Sequence, residues 1–555
     1  MPRLDYKAPG VYIEEINRGS RPIEGVSTNV AGFVGFTEDI RNGAELFKPM
    51  LVTNWSQYLS YFGRPNSDGY TEFNAYLPFA VNGFFLNGGG RCWICSVGTH
   101  LPGEQPTSEQ TGLEISTRGG NRPSLRFSFK NIRENLPALA PLTIEIEDST
   151  PKDPPPNSDT PQQPPENSQE FFSISVREGD RVIERFDNLT MNREVDPQVG
   201  DYVVTQIEQS QMLQVEDISR VGRSLARRPA TGAFQLHLPQ AVSRPENLTR
   251  DLRGSQDDKT GVQGMFEIDE INILACPDLM KIYQEGLMSL DQVHDIIGLQ
   301  IGLCEGSMNG NVPNPPNRMV VLDTPPDKLK PQDVVQWLED SKLRSMFAAL
   351  YYPWVRVTNP KDGKTISVPP SGHIMGVWSH NDESRGVYKA PANEVPRGVI
   401  DLAYDTNFRE QELLNPLGIN CIRKFPNRGI RIWGARTLVE PDMTEWRYIN
   451  VRRLISYIEK SIEIGTQWVV FEPNDEDLWA RVSRVVTNFL ERLWREGALF
   501  GASPEEAFYV KCDAELNTPE TMMLGRLYVE IGVCPVRPVE FVVFRIAQWN
   551  SSDGA

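Results

Sequence analysis

Three short runs decide the fold: Ile271-Asn272-Ile273-Leu274-Ala275-Cys276-Pro277, Met319-Val320-Val321-Leu322-Asp323-Thr324-Pro325 and Tyr351-Tyr352-Pro353-Trp354-Val355-Arg356-Val357. Each reads as an apolar strand. A helical pattern follows the first run to about residue 303 and another covers 333–349, so strands alternate with helices. Apolar strands joined by helices make a parallel sheet covered on both faces.

Toward the N-terminus, 29–36 (NVAGFVGF) and 91–97 (RCWICSV) are further short apolar strands. A helix expected near 71–86 makes them a β-α-β opening of the α/β layer. Ahead of any domain, after a Pro9-Gly10 turn, Val11-Tyr12-Ile13-Glu14-Glu15-Ile16 offers a short strand that reads as an arm. Between 99 and 264 the period changes. The runs 125–129, 142–146 and 172–176 alternate apolar with polar residues, the mark of half-buried antiparallel strands, so this stretch is a β-rich insert. Within it, 151–168 holds seven prolines and no large apolar residue. It cannot bury enough surface to offset its ordering entropy and is expected to be a flexible surface loop.

Toward the C-terminus, after a hairpin-like pair (419–425, 429–435), come two helices (446–464, 476–496) and three strands (507–513, 524–533, 538–548), which make a separate α+β domain. In the second helix Leu478, Val482, Val485, Val486, Phe489, Leu490, Leu493 and Trp494 fall on one face, which is core. The opposite face carries Arg481, Arg484, Arg492 and Arg495. It reads either as a solvated face with ion pairs such as Glu491–Arg495 or as a docking surface for an acidic partner.

At 555 residues the chain exceeds one ordinary core, and about three or four domains are expected. Against 74 Asp+Glu stand 56 Lys+Arg, a net charge of −18, so no general field attracts phosphate backbones or anionic lipid. No run approaches the roughly 18 apolar residues of a membrane span, and no signal-peptide core follows the first residues. The chain is expected to be made and kept in the cytosol, at least initially. Seven thinly spread cysteines fit reduced, buried thiols better than a disulfide framework.

Strings with the look of chemistry each lack a partner. Cys92 and Cys95 have C-x-x-C spacing, but no second pair or His cluster follows, which favours a buried strand. Gly363-Lys364-Thr365 lacks the upstream glycine of a phosphate loop, Thr358 standing in its place. His373 and His380 match no zinc spacing and read as polar surface histidines flanking a helix start. Gly306-Ser307-Met308-Asn309-Gly310 lies in a loop without a nucleophile elbow, and Gly88-Gly89-Gly90 precedes a strand and reads as a tight turn.

Taken together, several strings resemble the tail sheath proteins of contractile injection systems, a family that includes phage tails, tailocins and extracellular injection particles. They are Pro9-Gly10-Val11-Tyr12-Ile13-Glu14-Glu15, Asn87-Gly88-Gly89-Gly90-Arg91-Cys92, VPPSGHIMGVWSHNDESRGVYKAPANE (368–394), LNPLGIN (414–420), RGIRIWGARTL (428–438) and the run from Tyr448-Ile449-Asn450-Val451-Arg452-Arg453 to Trp549. The resemblance covers about 6–98 and 265–549. It implies an α/β + β multidomain sheath fold. The parts are an N-terminal strand arm (1–20), the first part of the core α/β domain (21–98), a β-rich surface insertion (99–264, with the Pro-rich loop 151–168), the rest of a discontinuous core that is subtilisin-like without protease activity (265–440), a tube-facing α+β domain (441–537) and a C-terminal strand arm (538–555).

The resemblance also implies a structural role, with no enzyme activity, cofactor or metal. Subunits would polymerise into a contractile cylinder of stacked six-fold rings around an inner tube protein, with baseplate and terminator or cap proteins at the ends and sheath paralogues as possible co-polymers. No nucleic acid and no membrane insertion are expected. Assembly would be in the bacterial cytoplasm, and action within a phage tail-like particle that is released or anchored to a membrane. Intersubunit contacts would use Val11, Tyr12, Ile13, Glu14, Glu15 and Ile16 of one arm and Val539, Glu540, Phe541, Val542, Val543 and Phe544 of the other. Tube contact would fall to Arg481, Arg484, Arg492 and Arg495. The rival readings are a non-contractile surface or adhesion protein using the insert, and a hydrolase on the α/β layer.

Overall fold

Five consecutive buried residues, Ala31–Gly35, form β1 inside an eight-stranded sheet. The computed structural model describes residues 22–64, 67–101, 113–129, 142–152, 170–178, 181–210, 212–219, 222–236, 247–306 and 317–545. After β1 come β2 (Pro49–Val52), α1 (Trp55–Phe62), α2 (Tyr76–Leu86) and β3 (Cys92–Ser96). β3 pairs parallel with β1, as the β-α-β reading requires, and β2 pairs antiparallel on its outer side. The sequence pattern predicts neither β2 nor α1. The α2 helix starts at Tyr76, later than expected, because its cap is supplied from elsewhere. The buried Asp278 carboxylate accepts from the N–H groups of Tyr76 (2.5 Å), Leu77 (3.2 Å) and Phe36 (2.7 Å).

The insert follows with β4 (Leu113–Thr117), β5 (Gly120–Phe129), β6 (Leu142–Asp148), β7 (Phe172–Glu178), β8 (Arg181–Thr190), β9 (Asp201–Tyr202), β10 (Leu213–Asp217) and β11 (Gly232–Leu236). They form two sheets, β10-β5-β4 and β11-β6-β7-β8-β9, and all pairings except β8 with β9 are antiparallel. The alternation seen in sequence is the burial pattern of β6, whereas β7 is buried on both faces, Ser173 and Ser175 included; Leu142, Ile144 and Ile146 meet Phe172, Ile174 and Val176 in a separate apolar cluster. Most of the Pro-rich loop, 153–168, lies outside the described residues. The last part of the expected insert does not stay with it. Leu248, Leu252 and Val262 pack into the α/β core, since their apolar side chains find burial there.

The core resumes with β12 (Ile273–Ala275), α3 (Asp278–Gln284), α4 (Leu290–Glu305), β13 (Met319–Asp323), α5 (Pro331–Ser341), β14 (Ala348–Tyr352), β15 (Val355–Thr358), β16 (Thr365–Val368), α6 (Ser371–Arg385), β17 (Asp401–Leu402), β18 (Ile419–Phe425) and β19 (Gly429–Trp433). The large sheet runs β19-β18-β14-β13-β12-β1-β3-β2, parallel from β18 to β3 with an antiparallel strand at each edge. Two expectations are corrected here. The helix expected over 333–349 ends at Ser341, and Lys342 turns left-handed (φ 53°). The apolar run beyond that turn is β14, buried at every position between β13 and β18. The strand expected over 351–357 is two strands, with β15 in a small sheet beside β16 and β17.

The C-terminal part holds α7 (Ile449–Gly465), α8 (Glu476–Arg495), β20 (Phe508–Lys511) and β21 (Glu530–Val533), with its own apolar cluster. The expected strand at 538–548 has no strand partner among the described residues over 538–545, and 546–548 lie outside them. Ile23 belongs to this C-terminal cluster although its chain neighbours lead into β1. Residues 22–30 therefore form a strap laid across α7 and α8.

Two buried contacts fix the helices on the sheet. The α6 helix crosses α2 through glycine: a Cβ on Gly372 would stand 2.3 Å from the Ala80 carbonyl oxygen, and one on Gly376 2.5 Å from that of Phe84. At the start of α6, Asp323 Oδ1 accepts from the Ser371 N–H at 2.9 Å. The Gly372→Val substitution should cost about 1–3 kcal/mol or more in denaturant unfolding, because backbone must move to admit the side chain. Burial pushes the Asp323 carboxyl from 3.8 up to about 7. The folded state thus holds a proton that the unfolded chain releases. This contribution to stability is full below about pH 4 and is lost as pH rises through about 7. Asp323→Asn, which keeps the acceptor for Ser371, should flatten the stability profile between those limits in unfolding titrations.

Candidate assembly interface

Of the groups with the look of chemistry, His373 and the Cys92–Cys95 pair are buried, whereas His380 and Gly363-Lys364-Thr365 are exposed. Ser371 and His373 are buried in the first turn of α6. This corrects the reading of His373 as a surface residue; His380 is exposed, but both lie within one helix. A Cβ on Gly83 would come within 2.6 Å of the His373 ring, and burial lowers that imidazole to about 4, leaving it neutral. Cys92 and Cys95 are buried in β3, and burial pushes the Cys95 thiol up to about 12, so neither is poised as a nucleophile. Cys276, Cys304 and Cys421 are buried as well, whereas Cys512 is half-buried and Cys534 exposed, against the expectation of uniformly buried thiols. Gly363 (φ 68°) turns the chain between β15 and β16, and Gly88 (φ 99°) turns it before β3. Residues 307–310 lie outside the described residues, and among the described residues no group of three metal-ligating side chains gathers.

The surface offers a different kind of site. Val539, Phe541, Val542, Val543 and Phe544 are 68–83% exposed, in a tail with no strand partner among the described residues. One residue in this row turns inward. Glu540 accepts from Arg436 through Nε (2.9 Å) and Nη2 (2.5 Å), from Asn415 Nδ2 (2.9 Å) and from the Tyr448 hydroxyl (3.1 Å). Burial alone would raise this carboxyl, but the hydrogen bonds outweigh it and hold the group below its ordinary value. Arg436 is itself fixed: its Nη1 donates to the Asn415 carbonyl (3.0 Å), and its N–H to Asn420 Oδ1 (2.7 Å). A charged clamp thus holds the root of the tail while the apolar side chains on either side face solvent. Sequence reasoning picked out the apolar tail but missed the clamp, since Asn415, Arg436, Tyr448 and Glu540 are far apart in the chain.

The other expected contact residues are placed unevenly. Val11, Tyr12, Ile13, Glu14, Glu15 and Ile16 lie outside the described residues. The strap that follows them is held closely: Val26 N–H donates to Ser461 Oγ (3.2 Å), and the Arg492 guanidinium donates to the Ile23 carbonyl (3.1 Å). Arg492 is therefore partly engaged inside the subunit. Arg481 pairs with Glu472 (3.4 Å) and lies over the Trp468 ring, and Arg495 pairs with Glu491, the intrahelical pair expected from sequence. Arg484 is exposed and has no ion pair among the described residues.

Similarity to known proteins falls in the same regions. A family model described as the phage tail sheath protein central domain matches residues 333–438, and one described as the phage tail sheath C-terminal domain matches 442–548. A putative prophage major tail sheath protein of Pseudomonas aeruginosa is 24% identical over 206 residues, 36% of this chain and 51% of that protein. The tail sheath protein of Burkholderia phage BcepMu is 26% identical over 202 residues, 35% of this chain and 41% of that protein. The chain thus spans about half the length, or less, of the curated relatives it matches. Its fold is similar over nearly its whole length to the anti-feeding prophage helical sheath in the contracted state (TM-score 0.54, 22% identity, 98% of this chain and 100% of that one). A similar match is the PVC sheath complex of an extracellular contractile injection system, also contracted (TM-score 0.54, 20% identity, 99% of each chain). The mixed α/β multidomain architecture is thus a sheath fold. The resemblance to tail sheath proteins read from the sequence is borne out by these matches, which place phage tail sheath domains over 333–438 and 442–548.

Glu540→Ala should free the tail root. Loss of hydrogen bonds to a charged group costs on the order of 1.5–3 kcal/mol, so exchange of the Val536 amide, which donates to the Ala498 carbonyl at 3.2 Å, should quicken at least about tenfold while β1 and β13 keep their protection.

Proposed function

We propose that this chain is a structural sheath subunit that polymerises into a helical contractile cylinder around an inner tube and drives the tube through a target envelope. The observation that carries this reading is the C-terminal tail: a row of exposed apolar side chains, rooted by a charged clamp and without a strand partner among the described residues. Burying five such side chains in a neighbour is worth about 1.5–3 kcal/mol each before ordering costs. β-Augmentation suits the tail, because a main-chain link holds while the globular bodies move as rigid units. Residues 11–16 are proposed as the opposite arm. Head-to-tail arms do not close on themselves and so generate a helix, with stacked six-fold rings as the proposed form.

In this account the core is the subtilisin-like domain, serving as a scaffold. The extended lattice is kinetically trapped, and contraction is driven by closer packing of the globular bodies against one another, with no nucleotide consumed. The proposed partners are the inner tube, baseplate and terminator or cap proteins. The particle is assembled in the bacterial cytoplasm and then released or membrane-anchored. The arginine face of α8 is proposed as the tube contact. Arg484 is its sharpest probe, because changing it disturbs no ion pair among the described residues.

Removing residues 1–18 should leave soluble subunits and no cylinders in electron micrographs; wild-type polymer from that truncation would dispose of the N-terminal arm. Arg484→Glu should still give contracted sheath while the yield of tube-filled extended particles falls. A normal yield of such particles would remove the tube-facing assignment.

A further inference from the structure

The roots of both arms converge on one helix. At the start of α7, the Tyr448 hydroxyl donates to Glu540 Oε2 (3.1 Å) and Asn450 Nδ2 donates to the Val536 carbonyl (3.1 Å), so this end holds the C-terminal tail. Further along, Arg453 Nη2 donates to the Thr28 carbonyl (2.9 Å) and Ser461 Oγ accepts from Val26 N–H (3.2 Å). Gly25 leaves room for the Tyr457 hydroxyl, which would stand 1.9 Å from an added Cβ. Gly465, at the far end, lies against Ile23, whose Cγ1 would be 2.6 Å from an added Cβ. The strap thus runs antiparallel to α7, and chain leading to the N-terminus departs from the end opposite the C-terminal tail.

We propose that α7 is the tie that carries tension between the two arms within each subunit, an inference that rests on the arm reading above. Seventeen residues of helix span about 25 Å, and a pull on both arms loads them along that axis. The strap contacts are then sheared together, not peeled one at a time. One contact also ties in the core: Arg453 binds Asp382 of α6 at 2.8 and 2.5 Å, and Thr28 Oγ1 donates to the same carboxylate at 2.6 Å. The core braces both ends of this tie, through Arg436 and Asn415 on Glu540 and through Asp382 on Arg453, so that tie and core move as one body. The strap keeps the same seat on α7 in extended and contracted lattices.

The test uses the full chain assembled with its tube, carrying Val26→Cys and Ser461→Cys, with the exposed Cys534 changed to Ser. The oxidised cross-link should leave assembly and contraction as in the reduced protein. Arg453→Met should assemble but break into fragments on contraction, and the cross-link should restore intact contracted cylinders. Contraction blocked by the cross-link and released by reductant would show that the strap leaves α7, overturning the proposal; so would Arg453→Met cylinders that contract intact. If Arg453→Met does not fold, the cross-linked protein alone decides between these outcomes. Cylinders formed by a chain lacking 538–555 would instead overturn the arm reading, and this inference with it.

Discussion

The buried ion pair between Arg453 and Asp382 is the contact on which the arrangement of this chain depends. Both side chains are about 95% buried, and each belongs to a different apolar cluster's framework: α7 to the C-terminal part, α6 to the α/β core. Removing two charges from water costs several kcal/mol per ion, and only good geometry with every remaining polar atom engaged offsets it. Here the guanidinium is bidentate, lies over the Trp378 ring and also donates to the Thr28 carbonyl, while Thr28 Oγ1 completes the carboxylate. Such a pair contributes registry more than net stability. It fixes strap, core helix and C-terminal helix in one relative position.

The rest follows from that fixed point. With α7 set against α6, its first residues lie beside Arg436 and Glu540, and its later residues receive the strap. The glycine-mediated crossing of α6 on α2 and the carboxylates of Asp278 and Asp323 then connect this frame to the centre of the parallel sheet. Among the described residues the insert has its own two-sheet apolar cluster, and the family matches fall on the central and C-terminal regions.

Much of the architecture was legible in the sequence where one local period dominates. The strands around 273, 320 and 421, the alternating strands of the insert and the core face of α8 all come from patterns of a few residues. Where distant residues decide, the sequence was silent or misleading. The start of α2 is set by Asp278, the end of α5 by a turn before a strand whose apolar run has no helical period, and the burial of His373 by Gly83 on another helix. The candidate interface divides in the same way. The apolar tail 539–544 can be read directly, but the clamp around Glu540 is assembled from four separated segments. The arginine face of α8 was visible as a pattern, while the engagement of Arg492 by the strap depends on a chain segment more than four hundred residues away.

The most direct test of the central claim is electron microscopy of the purified chain, alone and with an inner tube protein, beside a chain ending at residue 537. Hollow helical cylinders from the full chain, longer and narrower when filled with tube, and only dispersed particles from the shortened one, are the predicted result. Dispersed particles of 62.7 kDa from the full chain under both conditions would contradict it.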